Sequence, residues 1–268
     1  MKKYKSYFLG LLIIIFTGCE EVVKINLPES PPKLVIEASI LWKEDIQGNE
    51  QIIRLTTTSP FFSEEIPPAT GARVHIIDEN GFIYNFEETD TGIYKTMQFV
   101  PQFNEQYTLE ILYKNELYVA TETLIPVTNF EGVDQSEDGG FGGEDIALKI
   151  YYRDPPGIEN YYFFRFFHDN LSIQISEDEL TDGNLTFTYF SNDNLVPDQE
   201  IVIEMQGISE QFYNYLYLLQ TQSGNSGGPF TSQPTTVRGN VVNTTNPENF
   251  AFGFFRLSEI KFMSYSIQ

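Results

Sequence analysis

The residues best spaced for chemistry lie in one acidic stretch. Asp134-x-Ser136-x-Asp138-Gly139, followed by Asp145, matches the ligand positions of a twelve-residue calcium loop. Gly139 would make the sharp turn, the Gly140 carbonyl would bind, and Asp145 would close the site in place of the usual bidentate Glu. A structural calcium on Asp134, Ser136, Asp138 and Asp145 is therefore one expectation. The simpler one is a bare acidic linker, because glycines and acids crowded together bury nothing. Nucleophilic chemistry has less to stand on. The two histidines are His75, in mid-strand, and His168, beside Asp169. Neighbours on a strand point to opposite faces, so His168 and Asp169 cannot form a relay with each other. No serine sits in a Gly-x-Ser-x-Gly elbow, and the glycine stretches 139–143 and 224–228 lack the Gly-Lys-Ser/Thr ending of a phosphate loop. Two histidines and one cysteine make no conventional zinc site unless carboxylates complete it. With 38 Asp and Glu, a hydrolase built on a carboxylate pair stays open as an alternative. No catalytic residue and no organic cofactor is assigned.

The other chemically loaded residue is the single cysteine, Cys19. Lys2, Lys3 and Lys5 precede an apolar run over 8–16, and Thr17-Gly18-Cys19 follows. That is a secretory signal, too short for a comfortable membrane span. Small residues placed directly before a cysteine resemble a bacterial lipobox, in which the thiol is lipidated and the chain is cut before it. Phe16 departs from the Leu, Val or Ile usual there. Glu20-Glu21 resemble the export signal of surface lipoproteins in Bacteroidota-type Gram-negative bacteria. The expected layout is a signal over 1–18, lipidation at Cys19 and a proline-bearing tether over 19–32. Proline fixes φ and removes donors, so the tether should be extended.

Composition narrows the partners. The formal charge is −22, and loss of the signal lysines makes it more negative. Such a surface repels nucleic acid and anionic lipid, so the expected membrane contact is the lipid anchor alone. With Cys19 lipidated no disulfide can form, and the core must hold by packing. The chain beyond residue 32 is long enough for one large domain or two ordinary ones.

The elements that must position these residues read as strands. β-rich runs lie at 34–40, 51–58, 72–78, 82–87, 91–94, 106–112 and 116–123, each bounded by turn residues. Asn80-Gly81 suits a type I′ hairpin turn. Seven short strands at this spacing predict an immunoglobulin/transthyretin-like β-sandwich over 33–127. The acidic Gly-rich linker then spans 128–145. A second β-rich domain over 146–268 has strands at 146–152, 161–167, 171–175, 185–190, 200–205, 236–241, 252–257 and 259–267. It carries one helix, with Ser209 as N-cap and Phe212, Tyr215, Leu216 and Leu219 on its core face. The fold class is mainly β.

These features resemble the uncharacterised lipoprotein family known as domain of unknown function 4249. The resemblance rests on Thr17-Gly18-Cys19, the first strand Leu34-Val35-Ile36-Glu37, and Gly71-Ala72-Arg73-Val74 leading to Asp78-Glu79-Asn80-Gly81. Thr91-Gly92-Ile93-Tyr94, the helix ending at Gln220, and Gly228-Pro229-Phe230 leading to Arg238-Gly239-Asn240-Val241 also fit. It implies an outer-membrane lipoprotein beside a TonB-dependent receptor, and it implies no activity. The expected role is non-catalytic binding at the cell surface, with a structural or adhesive envelope protein as the alternative.

Overall fold

The computed structural model describes residues 31–44, 49–60, 63–140, 142–143, 145–178, 182–223 and 235–268. The expected signal, Cys19 and most of the tether lie outside these residues.

Strict alternation builds the first lobe. β1 (Leu34–Trp42) buries Leu34, Ile36, Ala38 and Ile40 and turns the residues between them outward. β2 (Gln51–Thr57), β3 (Arg73–Asp78), β4 (Ile83–Asp90), β5 (Ile93–Thr96), β6 (Gln106–Tyr113) and β7 (Glu116–Ile125) follow. All seven expected strands form. The Asn80-Gly81 turn is not type I′: only Gly81 takes positive φ, and the Asp78 carboxylate caps the amides of Asn80 and Phe82. The two consecutive positive-φ residues of a type I′ turn occur instead at Lys114 and Asn115, between β6 and β7.

These seven strands do not close alone. Their eighth partner is β15 (Phe252–Ser266), which lies parallel to β1 from Val35↔Phe252 to Trp42↔Glu259 and parallel to β7 at Leu257↔Leu124. The order β15-β1-β2-β5-β4-β3-β6-β7 thus returns to β15 as a ring. Its interior is aliphatic with tyrosines, including Ile36, Ile53, Leu55, Ile76, Leu109 and Tyr94. Gly253 permits the seam, since its φ is +89° and an added Cβ would stand 1.9 Å from the Ile36 carbonyl oxygen.

The second lobe grows from the far half of the same strand. β13 (Glu200–Ile208) pairs antiparallel with Ile260–Ser266, then β10 (Tyr161–Phe167) and β11 (Leu171–Glu177) extend the sheet. Facing it is a three-stranded sheet of β8 (Phe130–Gly139), β9 (Asp145–Arg153) and β12 (Leu185–Ser191). Leu148, Ile150, Phe164, Phe166, Ile203 and Met205 fill the space between. Each buried phenylalanine contributes roughly 2–3 kcal/mol of burial. Gln174 on β11 bonds Thr188 and the Tyr189 carbonyl on β12, so a side chain stitches the two sheets where no ladder does.

Helix α1 (Glu210–Ser223) covers the other face of β10 and β13, with Ser209 capping the Phe212 amide at 3.3 Å. Phe212, Tyr213, Tyr215 and Leu216 pack on Phe163, Ile208 and Phe254. Leu219 departs from the expectation and is 38% exposed.

Three expectations need correction. Residues 128–145 are no linker, because 130–139 forms β8 and pairs with β9 through Asp134↔Lys149 and Ser136↔Ala147. Alternation of Val133 and Gln135 against Asp134 and Ser136 gives this acidic strand an inward face, which composition alone conceals. The division into domains 33–127 and 146–268 fails with it, since β15 serves both lobes and Pro32–Gln268 is one compact unit. Residues 252–257 and 259–267 form a single strand, and in place of a strand over 236–241 only β14 (Val242–Asn243) pairs, with β7.

Candidate functional site

The extended backbone disperses the expected calcium ligands. A strand rises about 3.3 Å per residue, so Asp134 and Asp138 stand about 13 Å apart along it and cannot wrap one cation. Asp145 begins the next strand, its carboxylate over Gly140. The four residues form no calcium loop, because the hairpin register holds them apart.

The register brings something else together. On the outer face of the small sheet, Tyr189, Lys149 and Asp134 share one cross-strand row, and Phe187 faces Tyr151 in the next. Leu185, Phe187 and Tyr189 alternate on β12 and are 50%, 44% and 44% exposed. Tyr151 meets the edge of Phe187 at 5.6 Å, and the Lys149 ammonium lies 5.2 Å above the Phe187 ring. Beside them Asp134, Gln135, Ser136, Asp138, Lys149 and Tyr189 line an open concavity of about 300 Å³. The Ser136 hydroxyl, then the Asp138 amide and last the Lys149 charge lower the Asp138 pKa, and the Asp134 carboxylate accepting the Tyr151 hydroxyl raises that of the phenol. Three of the four expected ligand residues therefore line one surface without forming one site.

A carboxylate cluster that the sequence reading missed lies at the end of β9. One oxygen each of Asp154, Asp178 and Asp182 falls within 4.8 Å of the others, near enough for one ion. Each carboxylate already accepts from the chain. Asp154 takes the Tyr162 hydroxyl and the Gly183 amide, Asp178 the Asn160 amide and Asp182 the Gly157 amide. Burial raises the Asp154 and Tyr162 pKa values. The arrangement staples two turns. Its sequence signal is the pair of turn motifs Asp154-Pro155-Pro156-Gly157 and Asp182-Gly183-Asn184.

Under α1 lies a buried polar group. The Arg256 guanidinium, 7% exposed, donates to Gln206 at 2.6 Å, Ser258 at 2.7 Å and Ser39 at 3.1 Å. It also sits 4.6 Å over the Phe212 ring, and burial lowers its pKa to about 10. Gln206 bonds Glu204, which pairs with Arg165 at 3.3 Å. Every polar atom here has a partner, as for all buried side-chain polar atoms among the described residues, so the group orders the junction of the lobes.

His75 meets Glu110 at 3.0 Å and His168 meets Ser172 at 3.0 Å. They stand on different lobes, on β3 and after β10. Glu122 lies in the inward row of β7 with Asn240 at 2.8 Å, and burial raises its pKa to about 7.

The sequence pattern of residues 20–261 matches the family described as "Domain of unknown function (DUF4249)". The chain belongs to that family. No curated protein matches it. Among solved structures, the two fibronectin type-III domain segment from chicken tenascin is similar at 13% identity, over 66% of this chain and 91% of that one, with a TM-score of 0.22. The mainly β class stands on the strand order itself.

Proposed function

We propose that the protein is a lipid-anchored lipoprotein of the outer membrane, displayed at the cell surface of a Bacteroidota-type envelope, and a non-catalytic binding or accessory component of a TonB-dependent uptake system. The observation that carries the reading is Thr17-Gly18-Cys19 directly after a lysine-led apolar run of signal length. Glu20-Glu21 and the family membership support it. The exposed aromatic face of β12 supports a binding role, because large apolar side chains grouped on a surface mark contact sites.

Two measurements test the two halves. Cys19→Ser should abolish labelled palmitate incorporation and release the protein from membranes; normal membrane retention of the processed form would overturn the anchor. Cross-linking on whole cells, followed by mass identification, should recover a TonB-dependent receptor. Repeated recovery without one would remove the accessory role and leave the anchor standing.

A further inference from the structure

We propose that the outer face of the β8-β9-β12 sheet is a docking surface for an extended basic segment of a partner protein, one that alternates cationic and aliphatic residues.

Charge and shape select this occupant. Two carboxylates, Asp134 and Asp138, face one ammonium in the concavity, and that ammonium is already committed to the Phe187 ring. The surplus is negative, on a chain whose formal charge of −22 steers cationic partners toward it. A second copy of the chain carries the same charge and is repelled. The Phe187 ring has a cation over its face, so these rings show the geometry a guanidinium or ammonium uses. The cavity, about 300 Å³ and open, is at the small end for a ligand pocket and has room for one long side chain. Leu185, Phe187 and Tyr189 continue from it at the two-residue period of a strand. A partner strand with Arg or Lys at one position and Leu or Ile two residues on would meet acid and aromatic in turn. A neutral glycan could stack on the same rings but gains nothing from the acid surplus. The surface lies wholly within Pro32–Gln268, so the inference does not depend on how the chain is anchored.

The test uses residues 32–268, which form one compact unit, and the seven-residue peptide Arg-Thr-Leu-Thr-Arg-Thr-Leu, whose Arg and Leu side chains alternate along one strand face. Binding is measured by calorimetry at low and physiological salt, beside the Glu-for-Arg peptide and a neutral oligosaccharide. The Arg peptide should bind, and more weakly as salt rises. The pair Asp134→Asn and Asp138→Asn should weaken it about tenfold or more, and the pair Phe187→Thr and Tyr189→Thr to a similar extent. Thr keeps strand propensity at both positions. Should the Thr pair misfold, the Asn pair at exposed sites still decides. The control pair Glu64→Gln and Glu65→Gln removes the same charge from an exposed loop and should change binding less than about twofold. An equal loss in the control would mean diffuse attraction only and overturn the proposal. Failure of the Arg peptide to bind, or binding of the oligosaccharide alone, would overturn it as well.

Discussion

The ring lobe and the aromatic lobe use β15 in common and solve different problems with it. The ring lobe draws its inner face largely from Ile, Leu and Tyr on seven strands of four to ten residues, closed by the long strand β15. The second lobe packs Phe164, Phe166 and Phe190 inside and leaves Leu185, Phe187 and Tyr189 in solvent. Both lobes leave apolar side chains in solvent, among them Ile52, Phe82, Ile83 and Met97 on the ring lobe, but Leu185, Phe187 and Tyr189 follow one another along a single outward row of one strand. The lesson is that interior chemistry tells little about which lobe meets a partner. Apolar side chains left on an outward row tell more.

The largest test of that contrast attacks the shared strand. Gly253→Val forces a Cβ to within 1.9 Å of the Ile36 carbonyl oxygen at a φ of +89°. We expect a loss exceeding about 4 kcal/mol and coincident melting of both lobes in urea. A second lobe that still unfolded at its original midpoint would separate the lobes and break the comparison.

Next in size is a pair of like substitutions within one lobe. Phe166→Ala empties a fully buried position and should cost about 3–4 kcal/mol. Phe187→Ala, on the outer row, should change stability by about 0.5 kcal/mol or less. Denaturant midpoints for the two variants give the answer directly; equal losses would mean the outer row is structural.

The ring lobe's own charge sets the third. Burial raises the Glu122 pKa to about 7, so between its unfolded value near 4.5 and pH 7 the folded chain binds the extra proton. Stability therefore falls as pH rises through that window. The shift corresponds to about 3 kcal/mol, and partial solvent contact discounts it to about 1–3 kcal/mol. Glu122→Gln keeps a partner for Asn240 and should flatten the profile. A wild-type profile already flat from pH 4.5 to 7 would exclude this role. The smallest effect is expected at the exposed acids, where Asp134→Asn with Asp138→Asn should shift the urea midpoint by no more than about 0.5 kcal/mol of stability.

Most strands were legible because alternation is a local signal, visible in Leu34, Ile36, Ala38 and Ile40. The helix was legible through Ser209 and Glu210. What escaped was non-local. Nothing near Phe252 announces that it lies beside Val35, and Ser258 looked like a break between two strands when it is a buried mid-strand hydroxyl serving Arg256. β8 was hidden because acids on its outward face dominate its composition. The calcium-ligand spacing of Asp134, Ser136 and Asp138 presumes a loop, whereas the backbone there is an extended strand. The aspartates that do converge, 154, 178 and 182, come from segments separated in sequence, so no spacing rule joins them.

The seam between β1 and β15 also fixes an order of events. Ser39 and Arg256, bonded across it, are 217 residues apart. While the chain is being synthesised, the first seven strands lack the partner that closes their ring until residue 252 and beyond have emerged. Closing so wide a loop is slow, as it is in proteins dominated by distant pairings. A chain read as exported gains from that delay, because translocation requires an unfolded thread. The strand that joins the lobes would then act as a timer, holding back the fold until the whole chain has crossed.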